Sequence, residues 1–532
     1  MSRSLKNIGI VSAATMLSRV LGLGRDMLVT TVFGAGPLAS AFVTAFTLPN
    51  LFRRLLGEGA LTAALVPTLN DELAQRQRSG AFVLVNQVAS WLGAVTLVIV
   101  ALAMVSLAGL AEAGWLETWS GKPAQVARWR EAAELAVVLF PYLVFVCLSA
   151  AFSAALQTLD RFLEPALSPI WLNLAMIGML GGAVWWGDVT LDDARMRWLC
   201  GGVLIGGFLQ MVVPAVALMT EGWRPRPDFS LSPAVKSMLV LMGPTVLGSA
   251  VYLINLSVSR IIGLSLNDSA AAILNLATRL IELPIGVFAI AVSTVVFPLI
   301  SRYAAKGDWP NLARSYHRGM RLVLAINVPA AVGMVVLAAP IIRVLFQRGE
   351  FRPEDTLATV PVLMVFAAGL PVFAYVNLML RAFYAQKDTR TPVRAAVMSF
   401  VVNVSLSLAL MGPLSTMGLA LASNVAVVAQ AVYLQRALTR QRAELGVGPM
   451  VVNTVKILIA SVGMGLAVGA GARLFATMPT TWAWDLARLA VLVPVGIAVY
   501  GGLVWFLRLE GREEIAALLR GRRPIAPGSK NS

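Results

Sequence analysis

The sequence predicts an all-α polytopic membrane protein with about fourteen transmembrane helices. The 532 residues are 58% hydrophobic and only 13% charged, with a mean hydropathy of +0.77. Soluble domains are about 45–50% apolar and about 25% charged. Apolar runs long enough to span a membrane recur from end to end. A bilayer admits only helices or closed barrels, and runs of roughly 20 residues without alternation favour helices.

The predicted spans follow one another without a connection long enough to fold as a domain. The longest connections are 112–131, 221–234, 302–318 and 436–452. The fourteen spans cover residues 5–33, 37–69, 82–111, 132–158, 162–187, 197–220, 235–263, 268–301, 319–342, 356–385, 393–412, 415–435, 453–476 and 484–507.

The basic residues orient these spans. If the N-terminus is cytoplasmic, 26 of the 43 Lys and Arg residues lie at cytoplasmic ends and ten at the opposite ends. This asymmetry follows the positive-inside rule and, with fourteen spans, places both termini in the cytoplasm. The rule also accounts for most of the net charge of +16. A nucleic-acid partner is therefore not expected.

The chain shows an internal repeat with a nearly constant offset of 230 or 231 residues. Its anchors are Pro141 with Pro371, Asn173 with Asn403, and Pro67 with Pro298. A repeat of six spans is parallel, because an even number of spans returns the chain to the same side. Parallel repeats are a known transporter layout, with the substrate site near the midplane between the halves. The expected domains are an N-terminal lobe (1–220), a C-terminal lobe (221–442), two additional spans (443–510) and a basic cytoplasmic tail (511–532).

Seven basic residues lie within apolar runs or at their margins, and three acids share those runs. The basic residues are Arg19, Arg25, Arg53, Arg54, Arg260, Arg279 and Arg381, and the acids are Asp26, Glu58 and Glu282. An arginine at a helix centre costs roughly 2.5–3.5 kcal/mol on insertion scales. Three acids cannot pair seven arginines, so about four positive charges are left over. Internal ion pairs and snorkelling therefore explain only part of the set.

In the second span, the spacing separates a paired arginine from an unpaired one. Arg54 and Glu58 are four residues apart on one helix face, where they can pair. Arg53 points about 100° away. We therefore expect Arg53 to be the residue of the two that contacts a ligand.

In the first span, Arg19 and Asp26 are seven residues apart and share a face, while Arg25 is expected to project elsewhere. Gly22 and Gly24 lie between them and permit a kink or a close approach.

In the eighth span, Arg279 and Glu282 are three residues apart, and Pro284 follows as a further kink signal. In both spans the helix is softened beside its charges, as expected for backbone that lines a cavity.

A cluster of arginines with few lysines suits a ligand that bears phosphate, because the guanidinium is always charged and its planar fork matches phosphate oxygens. The scarcity of intramembrane carboxylates disfavours a proton-coupled antiporter. Motifs for an enzyme are missing, and His317, the only histidine, is expected in a cytoplasmic loop. Neither a cofactor nor a metal is expected.

The sequence segments that contain these charged residues closely resemble those of the MurJ/MviN family. The resemblance is carried by Ser18-Arg19-Val20-Leu21-Gly22, Arg25-Asp26, Phe33-Gly34-Ala35-Gly36, Leu48-Pro49-Asn50-Leu51-Phe52-Arg53-Arg54, Glu58-Gly59-Ala60 and Arg279-Leu280-Ile281-Glu282-Leu283-Pro284-Ile285-Gly286. It extends over roughly residues 1–510. It implies fourteen spans with two six-helix lobes, and a flippase that moves lipid II, the undecaprenyl-pyrophosphate-linked disaccharide-pentapeptide, from the inner to the outer leaflet.

The resemblance also implies a set of site residues. Those expected to bind substrate in a cationic cavity are Arg19, Arg25, Arg53, Arg54 and Arg279, with Asp26, Glu58 and Glu282 as accompanying or gating acids. Further candidates are Ser18, Ser40, Asn50 and Arg260. The chain departs from the family where Ser40 replaces an acid that many members carry. It also has no carboxylate between Lys236 and Arg260 on which a cation site could be built.

The expected location is the bacterial cytoplasmic (inner) membrane, and the expected partners are lipid II, membrane lipid and the cell-wall synthesis machinery. Alternating access is the expected mechanism. Several alternatives stay open at the level of sequence. They are a flippase or exporter of another polyprenyl-linked glycan, a drug or cation antiporter, a membrane-embedded lipid-processing enzyme, and an envelope-assembly scaffold.

Overall fold

A computed structural model describes residues 3–52, 61–112, 122–185, 191–285, 290–475 and 477–510. These residues form sixteen α-helices and two short 3-10 helices, and no strand occurs among them. The α-helices are α1 (Arg3–Phe33), α2 (Pro37–Phe52), α3 (Leu61–Glu112), α4 (Pro123–Leu139), α5 (Tyr142–Thr158), α6 (Leu163–Trp185), α7 (Asp192–Thr220), α8 (Pro233–Leu266), α9 (Ala270–Pro284), α10 (Ile290–Lys306), α11 (Trp309–Val336), α12 (Ala338–Phe346), α13 (Pro353–Ala385), α14 (Arg390–Gln441), α15 (Val451–Leu474) and α16 (Trp482–Phe506).

The all-α prediction is confirmed, and each predicted span overlaps a described helix. Among the described residues, eight helices are long and apolar enough to cross a membrane, or nine if the bent pair α4 and α5 forms one span. Two of the eight, α3 and α14, are broken internally and overlap two predicted spans each. The breaks lie at Gln77 (φ 58°, ψ −157°) and Ser415 (φ 49°, ψ −137°).

Proline has different effects at two positions of the proposed repeat. Pro141 lies between α4 and α5, which are bent by 44°. Pro371 lies inside α13, which continues past it. A proline removes one helical hydrogen bond and crowds the preceding turn, so it favours a bend without dictating one.

The chain packs as two compact units. Unit 1 comprises Met1–Asn275 with Arg348–Arg352, and unit 2 comprises Leu276–Gln347 with Pro353–Ser532. The expected lobes divide the chain by its sequence repeat rather than by packing, and their boundaries stay a prediction.

Unit 1 has an apolar core formed by α3, α5, α7 and the start of α8. Leu65, Leu84 and Leu156 are fully buried there, and Phe152 packs with Trp223 at a ring-centroid distance of 5.1 Å. Fully burying a leucine contributes roughly 1.5–3 kcal/mol relative to leaving it in water. This core therefore provides a rigid support for the polar residues of the same unit.

The connection between α7 and α8 is fixed to α3 by hydrogen bonds. The Asn86 amide oxygen accepts from the Trp223 indole at 2.9 Å, and the Gln87 amide donates to the Ser230 hydroxyl at 2.8 Å. The Ser230 hydroxyl and N–H donate in turn to Asp228 and lower the pKa of its carboxyl. The connection is thus an ordered segment of unit 1, because its polar groups have protein partners.

Unit 2 has its own core, formed by α10, α11, α13 and α14. The fully buried Tyr316, Phe383 and Leu434 lie within it. The helices α15 and α16 extend the unit, and Ile457 of α15 and Val504 of α16 pack into a second apolar cluster with Val328 of α11.

Candidate functional site

Among the described residues of unit 1, the most deeply buried charges lie on α1. Arg25 and Asp26 are 8% and 7% exposed. The Arg25 guanidinium donates to one oxygen of Asp26, from Nε at 3.0 Å and from Nη2 at 2.5 Å. Its Nη1 donates to the amide oxygen of Asn173 at 3.1 Å. Three donor nitrogens therefore have acceptors, which is the condition under which a buried guanidinium is tolerated.

Asn173 of α6 joins this ion pair to the backbone of α1. Its amide nitrogen donates to the carbonyl oxygen of Ser18 at 3.1 Å. Gly22 faces the same amide, and a Cβ there would lie 3.6 Å from the Asn173 nitrogen. A Cβ at this distance would make an ordinary van der Waals contact, so the contact of α6 with α1 does not depend on a glycine at this position.

Two glycines of α7 hold α6 in this position. A Cβ at Gly202 would lie 2.9 Å from the Cα of Met176, and a Cβ at Gly206 would lie 2.8 Å from the Cα of Leu172. The glycines are four residues apart on one face, a spacing that lets membrane helices approach closely. Asn173 lies between these two contact points on α6, so the packing of α6 on α7 fixes where its amide points.

One expectation for the first span is corrected by this geometry. Arg25 is expected to project away from Asp26, but its guanidinium binds that carboxylate. Neighbouring side chains diverge at the Cβ atom, yet the long arginine stem can curve back when both groups are excluded from water. Gly22 and Gly24 do not interrupt α1, which is continuous from Arg3 to Phe33, and a bend at these glycines stays a prediction.

A second ion pair lies on α9 within unit 2. Arg279 Nη1 donates to Glu282 at 3.3 Å, as the spacing of three residues predicts. The side chains are 37% and 39% exposed, several times more than those of the pair on α1. α9 ends at Pro284. The pair therefore lies near the end of its helix and can be reached from outside the protein.

Ser40 holds the start of another helix. It is fully buried, and its hydroxyl oxygen accepts from the backbone N–H of Ala272 at 3.2 Å. Ala272 lies in the first turn of α9, where backbone N–H groups have no acceptor within the helix. The hydroxyl of Ser40 thus satisfies one of these donors from a different helix.

The other candidates are placed as follows. Arg260 of α8 donates to the hydroxyl of Thr47 at 3.3 Å. Ser18, Arg19 and Asn50 are partly buried, and the Ser18 carbonyl accepts from Asn173. Arg53, Arg54 and Glu58 lie outside the described residues, so the pairing of Arg54 with Glu58 and the ligand contact of Arg53 stay predictions.

Arg381, the remaining arginine of the intramembrane set, contacts an aromatic ring. Its guanidinium carbon lies 5.6 Å from the centroid of Phe297 in unit 2. A cation over a ring face gains roughly 0.5–2 kcal/mol. Counting acids alone therefore underestimates how many arginines a membrane protein can accommodate.

One buried ion cluster in unit 2 was missed at the level of sequence. Asp485, at the start of α16, is 1% exposed. It accepts from Arg343 of α12 at 2.6 and 2.9 Å and from Arg488 at 2.9 Å. The sequence contains a signal for part of this cluster, because Asp485 and Arg488 are three residues apart within the predicted span 484–507.

The described residues contain no group of three or more His, Cys, Asp and Glu side chains that could hold a metal ion. Cys147 and Cys200 are both buried and unpaired by any disulfide. The chemistry within these ranges is thus that of guanidinium, carboxylate and amide groups.

The fold and the buried charges define a multi-pass helical membrane protein of the kind to which membrane transporters belong. The family described as "Lipid II flippase MurJ" matches residues 29–494. A Vibrio cholerae protein named probable lipid II flippase MurJ is 32% identical over 526 residues, which cover 97% of this chain and 98% of that protein. The chain belongs to the MurJ family.

Two solved structures share this fold. One is a lipid II flippase MurJ in an inward closed conformation, with a TM-score of 0.75, 24% identity and coverage of 95% of this chain and 99% of that chain. The other is an inward-facing multidrug resistance MATE family transporter of the MOP superfamily, with a TM-score of 0.63, 16% identity and coverage of 82% and 98%. At these identities the likeness concerns the fold alone.

Proposed function

We propose that the protein is a lipid II flippase of the bacterial inner membrane, with both termini in the cytoplasm. It is a transporter rather than an enzyme. It binds the pyrophosphate of the lipid-linked precursor through membrane-embedded arginines, and it exposes the headgroup to the two sides of the membrane in turn. The polyprenyl tail stays in lipid throughout.

The accessibility of the Arg279–Glu282 pair is the observation that carries this proposal. More than a third of each side chain is exposed, although the pair lies in an apolar run. An accessible guanidinium in a medium of low dielectric constant binds a phosphate oxygen strongly. Glu282 lowers the cost of keeping this cation without ligand, and pyrophosphate can replace it as the anion.

Arg25 has a complementary role in the proposal. Its guanidinium is already held by Asp26 and Asn173, so its charge stays at one place on α1. A guanidinium held in this way keeps its orientation when the substrate arrives, and the carboxylate of Asp26 offsets its charge until then. Arg19, Arg53 and Arg54 complete the cationic set in the proposal.

Leaflet-resolved detection of lipid II tests the proposal. The chain is expressed in a bacterium whose own MurJ-family flippase can be depleted, and lipid II in the outer leaflet is measured with a reagent that cannot cross the membrane. Lipid II should accumulate in the inner leaflet on depletion, and the chain should restore the outer pool. Arg279→Ala should fail to restore it at an equal amount of membrane protein.

Arg195→Ala is the matched control, because Arg195 forms an exposed ion pair with Asp192, also at a spacing of three residues and at 3.4 Å. This variant should restore the outer pool fully. An unchanged leaflet distribution of lipid II on expressing the chain would refute the flippase. Restored distribution of a different polyprenyl-linked glycan, with lipid II unaffected, would assign the alternative substrate instead.

A further inference from the structure

A cationic cavity lies in unit 2, between α11 and the start of α15. It is partly open to solvent, and the empty space within its outline is about 250 Å³ when this open part is included. Its walls are His317, Arg321, Pro449, Met450, Asn453, Thr454 and Ile457. Arg321 is at the start of the predicted span 319–342, on the side expected to be cytoplasmic, and so at the depth of lipid headgroups.

A carboxylate of the chain itself is already bound at this cavity. Glu510 accepts from the Arg321 guanidinium, and one of its oxygens accepts from the Asn453 amide at 3.0 Å. The Arg321 side chain is 19% exposed and Asn453 only 6%, whereas the Glu510 side chain is 71% exposed. The groups that bind the anion are therefore largely buried, whereas the carboxylate itself is exposed to solvent.

The start of α15 adds to the positive potential of the cavity. α15 begins at Val451, no side chain caps this end, and Asn453 lies in its first turn. The Val451 N–H donates to the Gly448 carbonyl of the preceding 3-10 helix, so the positive end of the helix dipole, rather than a full set of unpaired N–H groups, favours a bound anion. The His317 ring forms part of the wall and is fixed by a hydrogen bond of 3.0 Å from Nε2 to the Gly446 carbonyl.

We propose that this cavity is a binding site for a phosphate group and that Glu510 occupies it in the absence of phosphate. Free phosphate carries more charge and more acceptor oxygens than one carboxylate, and a phosphodiester adds two ester oxygens to its charged pair, so either group can engage Arg321, Asn453 and the α15 N-terminus together. The group is either the phosphodiester of an anionic membrane lipid or free phosphate. This site lies outside the arginine set that the transport function uses. Its occupancy would make the contact between the end of α16 and Arg321 depend on the phosphate groups at the membrane surface.

Binding measurements on the purified full-length protein in detergent test the proposal. The probes are dihexanoyl phosphatidylglycerol, with dihexanoyl phosphatidylcholine as the uncharged comparison, and inorganic phosphate against chloride at equal ionic strength. Bound lipid is counted by native mass spectrometry, and phosphate affinity is measured by calorimetry. The variants are Arg321→Gln, Glu510→Gln and, as a control on the exposed surface of the same helix, Arg314→Gln.

The two cavity variants should act in opposite directions. Arg321→Gln should weaken anion binding about tenfold or more, because it removes a charged hydrogen-bond donor. Glu510→Gln should tighten binding several-fold, because it removes the competing carboxylate, and Arg314→Gln should leave it unchanged. Binding of phosphatidylglycerol alone would assign a lipid headgroup, and binding of both anions would assign the phosphate group itself.

The proposal is overturned by either of two results. One is that neither anionic probe binds to the wild-type protein or to Glu510→Gln. Because Glu510→Gln retains Arg321, this result can be obtained even if Arg321→Gln does not fold. The other is an equal affinity of Arg321→Gln and wild type. If Glu510→Gln lowers thermal stability without tightening anion binding, the contact of Glu510 with Arg321 only stabilises the fold and does not stand in for a bound phosphate.

Discussion

The ion pairs of α1 and α9 use the same chemistry in different surroundings. Arg25 and Asp26 are about one-tenth exposed, and Arg25 also donates to Asn173. Arg279 and Glu282 are more than a third exposed, and their closest approach is 3.3 Å. Because the first pair is buried, breaking it costs a large free energy, whereas the exposed second pair separates at a small cost in free energy.

This difference shows how a membrane protein can keep several arginines and still use some of them. The pair on α1 maintains a charge at a fixed position, and the pair on α9 offers a charge to a ligand. The difference predicts that stability and transport respond differently to substitutions in the two pairs.

The largest expected effect on stability is that of Arg25→Ala. Removing one member of a buried pair leaves the other charge poorly compensated, and the expected loss is ~3–5 kcal/mol of unfolding free energy. Arg279→Ala should cost less than about 1 kcal/mol, because its pair is accessible to solvent. Both values can be measured by unfolding titrations in mixed micelles. Equal losses for the two variants would break the comparison.

The repeat offers a second contrast, between Asn173 and Asn403. Asn173 accepts from a buried guanidinium, whereas Asn403, which is 2% exposed, accepts from the hydroxyl of Ser423 at 3.3 Å. Hydrogen bonds to charged groups contribute about 1.5–3 kcal/mol and neutral ones about 1 kcal/mol. Asn173→Ala should therefore lower the free energy of unfolding more than Asn403→Ala in the same titration. The reverse order would contradict the claim that Asn173 gains stability from its hydrogen bond to a charged group.

A smaller effect is expected from the packing that positions Asn173. Gly206→Ala places a methyl group 2.8 Å from a backbone atom of α6, so α6 must shift, at a cost of about 1–3 kcal/mol. Gly201→Ala on the same helix meets only the flexible end of Met179, at 3.4 Å, and should change stability by less than about 1 kcal/mol. Thermal unfolding of both variants checks this, and equal melting temperatures would show that the close approach is unimportant.

Hydropathy was sufficient to predict the helical class and the places where helices lie. The break at Ser415 coincides with the start of the predicted span 415–435, two residues after Pro413. The break at Gln77 falls in a polar stretch between spans, although no proline or glycine occupies that position. The lengths of the apolar runs and the composition of the chain thus contain most of the information on where the helices lie.

Partners that are distant in sequence could not be predicted in this way. Arg25 and Asn173 are separated by 148 residues, and Arg343 and Asp485 by 142. A single sequence reveals that these residues are polar in apolar surroundings, but not which of them meet. In the sequence, Asn173 stands out only as an anchor of the internal repeat, because an asparagine in an apolar run carries no charge.

The most direct test of the central claim is lipid II translocation in proteoliposomes that contain equal amounts of folded wild-type protein, Arg279→Ala or Arg195→Ala. The measured quantity is the rate at which lipid II becomes accessible on the opposite face. We predict translocation by the wild type and by Arg195→Ala, and a rate for Arg279→Ala close to that of protein-free liposomes. Translocation by Arg279→Ala at the wild-type rate would contradict the account.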